Sequence, residues 1–222
     1  MSKIHKMDLL VALYTFCIAV SELMGGKTFP LLSLGNFTLN ASVAIFTIPI
    51  VFTINDIIVE VYGKERARSV VRSGLTVVVL ITLFSWLAIS LPPSARFQKT
   101  EAAYDTIFGT AIRISIASLI AFAAAEFTDL WVFSKIRQRL GTQALWLRNN
   151  VSNFVAQLLD TVIFLTLAFY DPSKAFVGNV GFLVSLITPY WLLKCAMSVI
   201  ETPFVYAGVR WLKNGIEETK PI

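Results

Sequence analysis

Residues 41–68 read ASVAIFTIPIVFTINDIIVEVYGKERAR. An apolar run from Ala41 to Phe52 leads into Asp56 and Glu60, four residues apart and so on one face of a helix, and the stretch then breaks at Gly63 into Lys64, Arg66 and Arg68. The run is long enough to carry the helix into a bilayer. A carboxylate there costs at least about 2.5 to 3.5 kcal/mol, so an acid at that depth carries a functional reading by default. The basic cluster behind the acids marks the side of the membrane that this end faces.

The rest of the chain has the same character. Of 222 residues, 56 % are hydrophobic and 15 % charged, and the mean hydropathy is +0.70, well outside the soluble globular range. Apolar runs near bilayer length occur at about 8–25, 41–61, 69–91, 106–133, 151–170 and 181–208. In hydrocarbon a backbone amide finds its partner only within its own segment, so each run is expected to be helical. The expectation is an all-α integral membrane protein, a single domain over residues 1–222 with six transmembrane helices. Pro49, Pro189 and Pro203 fall inside spans, where they are read as kinks. Lys3 and Lys6 ahead of an apolar run look like a signal peptide, but the run is long and five more follow, so it is read as a retained first helix.

The cations orient this map. With the N-terminus placed in the cytoplasm, the inner segments hold thirteen: Lys3, Lys6, Lys64, Arg66, Arg68, Arg72, Lys135, Arg137, Arg139, Arg148, Arg210, Lys213 and Lys220. The outer segments hold four, Lys27, Arg96, Lys99 and Lys174, while Arg113 and Lys194 lie inside spans. Positive charge collects on the cytoplasmic side of membrane proteins, so both termini are expected there. The bias also accounts for the formal charge of +5 without a nucleic acid partner.

Several chemistries drop out. Cys17 and Cys195 sit in apolar runs as small hydrophobes, and no disulfide framework follows. His5 is the single histidine and lies in the polar tail, which removes histidine metal sites and proton relays. Gly25 to Thr28, GGKT, has the end of a phosphate-binding loop, but Ser21 stands where its first glycine belongs and no strand is expected before it. No catalytic residue, metal site or cofactor is expected.

Rise along a helix gives the depth of the remaining charges. Glu22 and Arg113 fall in the outer third, where they can pair, and Asp160 and Lys194 fall near the middle as a second candidate pair. Either pair can serve packing alone, since opposite charges between helices neutralise each other. Alternatively, Asp160 and Lys194, with Asn153 and Gln157 one and two turns away, line a polar pocket for a solute. Glu126, Asp129 and Glu201 lie toward the cytoplasmic interface, where solvation among loop cations is expected. Ala117, Ala121 and Ala125, beside Ser118, recur every fourth residue and permit close helix packing.

Pro49 with Asp56, Glu60, Tyr62, Gly63, Ala67 and Arg68; Arg113 with Ala117, Ser118 and Ala121; Asp129 with Val132 and Phe133; Asn153 with Asp160 and Thr161; and Lys194 form an ordered set. In that set the chain resembles the queuosine precursor transporter family, small six-helix bacterial membrane proteins also described as vitamin-uptake-type transporters. The resemblance implies uptake of a 7-deazapurine, 7-cyano- or 7-aminomethyl-7-deazaguanine or queuine, across the bacterial inner membrane for transfer RNA modification. It also implies a fold similar to the substrate-binding subunit of energy-coupling-factor vitamin transporters.

A 7-deazaguanine offers ring N–H and amine donors that a carboxylate accepts together, and a carbonyl for Lys, Arg, Asn or Gln. Asp160, Lys194, Asn153, Gln157, Asp56, Glu60 and Arg113 are therefore the candidate substrate-binding residues. Phe46, Phe52, Phe154, Tyr190 and Trp191 are candidates for stacking on the flat base. Two rivals stand beside this reading. A substrate-binding subunit on an ATP-driven module usually presents Ala-x-x-x-Ala on its first span, and here Ala12 is followed four residues later by Phe16, which argues against an ATPase partner. An intramembrane enzyme using Asp56 and Glu60 with a divalent cation lacks the compact cluster of three or four acids that such enzymes carry. The partners expected are a purine-like small molecule and the lipid bilayer, with a homodimer left open.

Overall fold

Apolar sequence becomes helix almost throughout. The computed structural model describes residues 5–35, 37–140, 145–200 and 202–217; side chains at 34, 37, 129, 130, 133, 137, 139, 140, 145–150, 152, 153, 195, 197–200 and 215–217 lie outside that description. The helices are α1 (Lys6–Met24), α2 (Ile48–Tyr62), α3 (Lys64–Ser90), α4 (Glu101–Leu140), α5 (Leu145–Phe169), α6 (Phe176–Ile200) and α7 (Thr202–Glu217). Among the described residues five stretches are long and apolar enough to cross a bilayer: Lys6–Met24, Val43–Tyr62, Lys64–Ser90, Glu101–Thr128 and Phe176–Lys194. The apolar part of α5, Phe154–Phe169, is shorter. Large apolar side chains such as Phe84 and Phe127 stand 73 % and 72 % exposed, an arrangement suited to lipid rather than water.

The boundaries differ from expectation in two places. Of the span expected at 181–208, residues 181–200 lie in α6 and residues 202–208 in α7, with residue 201 outside the described residues. Pro203 is the second described residue of α7. Pro49, expected as a kink, occupies the first turn of α2, and Pro189 lies within α6.

Residues 41 and 42, expected at the start of the second span, close a strand. β1 (Thr28–Leu34) and β2 (Phe37–Ser42) form an antiparallel hairpin that closes at Leu34 opposite Phe37, with an irregularity after Pro30, where a strand lacks a donor. Gly35 takes φ +60° in its turn, a conformation glycine adopts without strain. A short 3-10 turn, Val43–Phe46, then leads into α2. Finally, α4 is 40 residues long, about 60 Å and roughly twice the hydrocarbon thickness, so it extends beyond any single crossing.

Packing builds three apolar clusters, the smallest of them Ile114, Ala117 and Ala168 between α4 and α5. Leu10, Tyr14, Ile54, Ile57, Ile58, Ala67, Val70 and Leu212 join α1, α2, α3 and α7. Ala41, Leu165, Leu186 and Tyr190 join the hairpin to α5 and α6. The stripe on α4 works as its spacing suggests, with Ala117 and Ala121 1 % and 0 % exposed where α4 packs extensively on α5. The hairpin is pinned to the bundle by Asn40 Nδ2 donating to Ser185 Oγ (2.8 Å) and Tyr190 Oη donating to the Ser42 carbonyl (3.2 Å). Lys6 Nζ at the start of α1 donates to the Trp211 carbonyl in α7 (2.7 Å), so the start of α1 and α7 lie together.

Candidate functional site

Six helices surround a cavity of about 640 Å³, within the range of about 300–1,000 Å³ of small-molecule sites. α1 contributes Tyr14, Ile18 and Glu22; α2 contributes Val51, Phe52, Asn55 and Asp56; α3 contributes Gly74 and its neighbours. α4 contributes Ser118, Phe122, Ala125 and Glu126, α5 contributes Ala156, Gln157 and Asp160, and α6 contributes Lys194. The wall thus carries four carboxyl groups and one cation among its described residues.

Asp160 and Lys194 meet inside it, with Nζ donating to Oδ2 at 2.6 Å and the side chains only 28 % and 11 % exposed. Gln157, one turn before Asp160, and Asp56 also line the wall. Glu60 is exposed and does not reach the cavity. Four residues after Asp56, it stays on the same helix face but one turn nearer the Gly63 break. The side chain of Asn153 lies outside the described residues, as do those of Asp129 and Glu201.

Arg113 and Glu22 do not pair. Arg113 Nε donates to the Leu167 carbonyl (2.8 Å), and its terminal nitrogen donates to the Tyr170 carbonyl. These lie at the end of α5, where helical carbonyls lack partners and a cation is favoured. The guanidinium lines a separate hollow of about 300 Å³ with Gly109, Ile116 and Leu167. Depth counting brings the two residues to one level but does not fix the direction in which each projects.

Glu22 instead turns into the main cavity. It is 5 % exposed, and Ser115 and Ser118 of α4 lie beside its carboxyl. Its Oε2 and the Ser115 Oγ are both buried without a hydrogen-bond partner among the described residues. Its neighbour Ser21 is held to the start of α2 by a 2.5 Å hydroxyl contact with Thr47, which fixes the last turn of α1 against the wall.

The aromatic lining is largely different from the sequence candidates. Phe52 is present, joined by Tyr14 and Phe122. Phe46 stacks on Phe29 at 5.8 Å, Phe154 meets Trp191 edge-on at 5.2 Å, and Tyr190 is committed to Ser42. Tyr14 and Phe122 were hidden among many aromatics at helical spacing, and only packing reveals which face they occupy. No three His, Cys, Asp or Glu side chains among the described residues cluster as a metal site requires.

Residues 42–208 match the family described as "Putative vitamin uptake transporter". The chain belongs to this vitamin uptake transporter family. Within it, the chain is 33 % identical over 165 residues to a "Probable queuosine precursor transporter" of Bacillus subtilis, covering 74 % of this chain and 69 % of that protein. It is 27 % identical over 145 residues to a protein of the same name from Haemophilus influenzae, covering 65 % and 58 %. It is 26 % identical over 156 residues to the "Queuosine precursor transporter" of Escherichia coli, covering 70 % and 66 %. No solved structure matches the chain. The stretch matched to the vitamin uptake transporter family includes Asp56, Asp160 and Lys194, whereas α1, with Tyr14 and Glu22, precedes it.

Proposed function

We propose that this multi-pass membrane protein carries queuosine precursors, 7-deazapurines such as 7-cyano- or 7-aminomethyl-7-deazaguanine or queuine, into the cell for transfer RNA modification. The observation that carries the reading is the cavity among six helices, with an Asp160–Lys194 ion pair inside it, in a chain whose relatives are named for this cargo. Substrate sites of secondary transporters lie where helices meet near mid-membrane. Phe52 and Tyr14 supply flat faces for a base, Gln157 and Lys194 supply donors for its carbonyl, and Asp56 and Glu126 supply negative charge for an aminomethyl arm.

In this reading the protein lies in the bacterial inner membrane with both termini cytoplasmic, and α5 is a sixth crossing. The contact between Lys6 and Trp211 supports an even number of crossings, because the chain then ends on the side where it began. The bundle is similar in design to the substrate-binding subunit of energy-coupling-factor transporters. It works without an ATPase module, a reading supported by the bulky, 59 % exposed Phe16 on the face of α1 where such a module needs small residues.

The test is accumulation of labelled 7-cyano- and 7-aminomethyl-7-deazaguanine in cells that cannot make queuosine precursors. Expression is expected to raise accumulation, and Asp160→Ala and Lys194→Ala are expected to abolish the gain at equal protein level. No gain over empty-vector cells, with the protein present in the membrane, rejects the reading.

A further inference from the structure

The cavity holds one carboxyl group whose hydrogen bonding is incomplete in a way that a ligand would complete. Glu22 is 5 % exposed, lines the cavity, and has an Oε2 with no hydrogen bond. A buried polar atom left unpaired costs about 1–3 kcal/mol, and more where it is charged, so the arrangement is favourable only if something else supplies a donor. The Ser115 and Ser118 hydroxyls beside the carboxyl leave Oε2 itself without a hydrogen bond among the described residues. Lys194, the cation among the described lining residues, is engaged with Asp160, and Arg113 is turned away to the end of α5.

Asp160 is the less suitable acceptor for a base edge, since its Oδ2 already takes the Lys194 proton donor at 2.6 Å. Asp56 and Glu126 are exposed, where water competes for every hydrogen bond. Glu22 therefore offers the water-excluded carboxylate of the site, with the Ser115 Oγ unpaired beside it. A carboxylate in that setting matches two parallel N–H donors, as presented by a ring N–H next to an exocyclic amine. Glu126 lies two turns beyond Ser118 on the same helix, about 12 Å along its axis, so the acids that suit a cationic arm are at a different level from Glu22.

We propose that Glu22 is the specificity-determining residue that accepts both donors from the amide and amine edge of a guanine-type base. This rests on the transport reading above and sharpens it: the site selects 2-amino bases over 2-unsubstituted ones. A pocket built to accept from a donor rejects an analogue lacking it strongly, because its buried acceptor is then left unpaired.

The experiment is equilibrium binding to purified protein in detergent, using 7-cyano-7-deazaguanine, its counterpart without the 2-amino group and its N1-methyl derivative. Wild type is expected to bind the parent at least about ten-fold more tightly than either analogue. Glu22→Gln, which keeps one acceptor and loses the charge, is expected to weaken the parent by on the order of ten- to hundred-fold and to shrink its advantage over the 2-unsubstituted analogue. Wild type binding all three compounds equally overturns the proposal without any variant, which keeps it decidable even if Glu22→Gln does not fold. Glu22→Gln retaining the wild-type preference overturns it as well. Failure of wild type to bind any 7-deazaguanine instead overturns the transport reading, and this proposal with it.

Discussion

At the scale of single residues, the ion pair between Asp160 and Lys194 separates what holds the bundle together from what serves a ligand. Removing one member of a largely buried pair leaves the other charge uncompensated and costs about 3–5 kcal/mol, whereas replacing both by apolar groups of similar size is often neutral. Asp160→Leu and Lys194→Met are each expected to lower thermal stability in detergent, and the double variant is expected to regain most of that loss. Uptake is expected to stay abolished in all three. Recovery of uptake along with stability in the double variant would assign the pair to packing alone. This pair was legible in the sequence because two opposite charges in apolar runs, both near mid-depth, have few other partners. Glu22 was visible by the same logic but given the wrong partner. A position along a helix fixes height, and the direction in which a side chain projects depends on how neighbouring helices are rotated.

At the scale of elements, the end of α5 illustrates how a charge in a span can serve the backbone. Arg113 reaches across from α4 to the carbonyls of Leu167 and Tyr170, groups that a helix terminus otherwise leaves unmatched. Arg113→Gln is expected to lower unfolding stability by about 1.5–3 kcal/mol, the range for hydrogen bonds to charged groups. Affinity for a bound base is expected to change less than about two-fold, since the guanidinium lines a different hollow. A large loss of affinity with unchanged stability would return Arg113 to the binding site. The helices themselves were readable from apolar length alone, but their ends and the hairpin were not. Thr28–Leu34 and Phe37–Ser42 are apolar strands of 7 and 6 residues in an apolar chain, where strand and span signals merge.

At the scale of the whole molecule, the hydrogen bond between Lys6 and Trp211 bears on the proposal of six crossings. In the proposed topology successive helices α1 to α4 alternate in direction, and α6 is of spanning length. Under the proposed topology a chain that crosses five times would put the start of α1 and α7 on opposite faces, and the 2.7 Å contact between Lys6 and Trp211 favours a sixth crossing by α5. Crossing by α5 places the hairpin, the α3–α4 connection and the α5–α6 connection on one side, with the α2–α3 break and the far end of α4 on the other. In the proposed orientation the excess of cations at Lys64, Arg66 and Arg68 puts the second group in the cytoplasm. Single cysteines introduced at exposed positions in a variant free of native cysteines read this out with a membrane-impermeant maleimide. Ser33→Cys, Lys99→Cys and Pro172→Cys are expected to label in intact cells, whereas Glu65→Cys and Ser134→Cys are expected to label only after permeabilisation. Pro172→Cys decides the sixth crossing: protection in intact cells, with Lys99→Cys still labelled, would confine α5 to the cytoplasmic side. The exchange of both groups would instead invert the whole protein and turn the acids at Asp56 and Glu126 toward the outside, where they would face arriving ligand instead of releasing it.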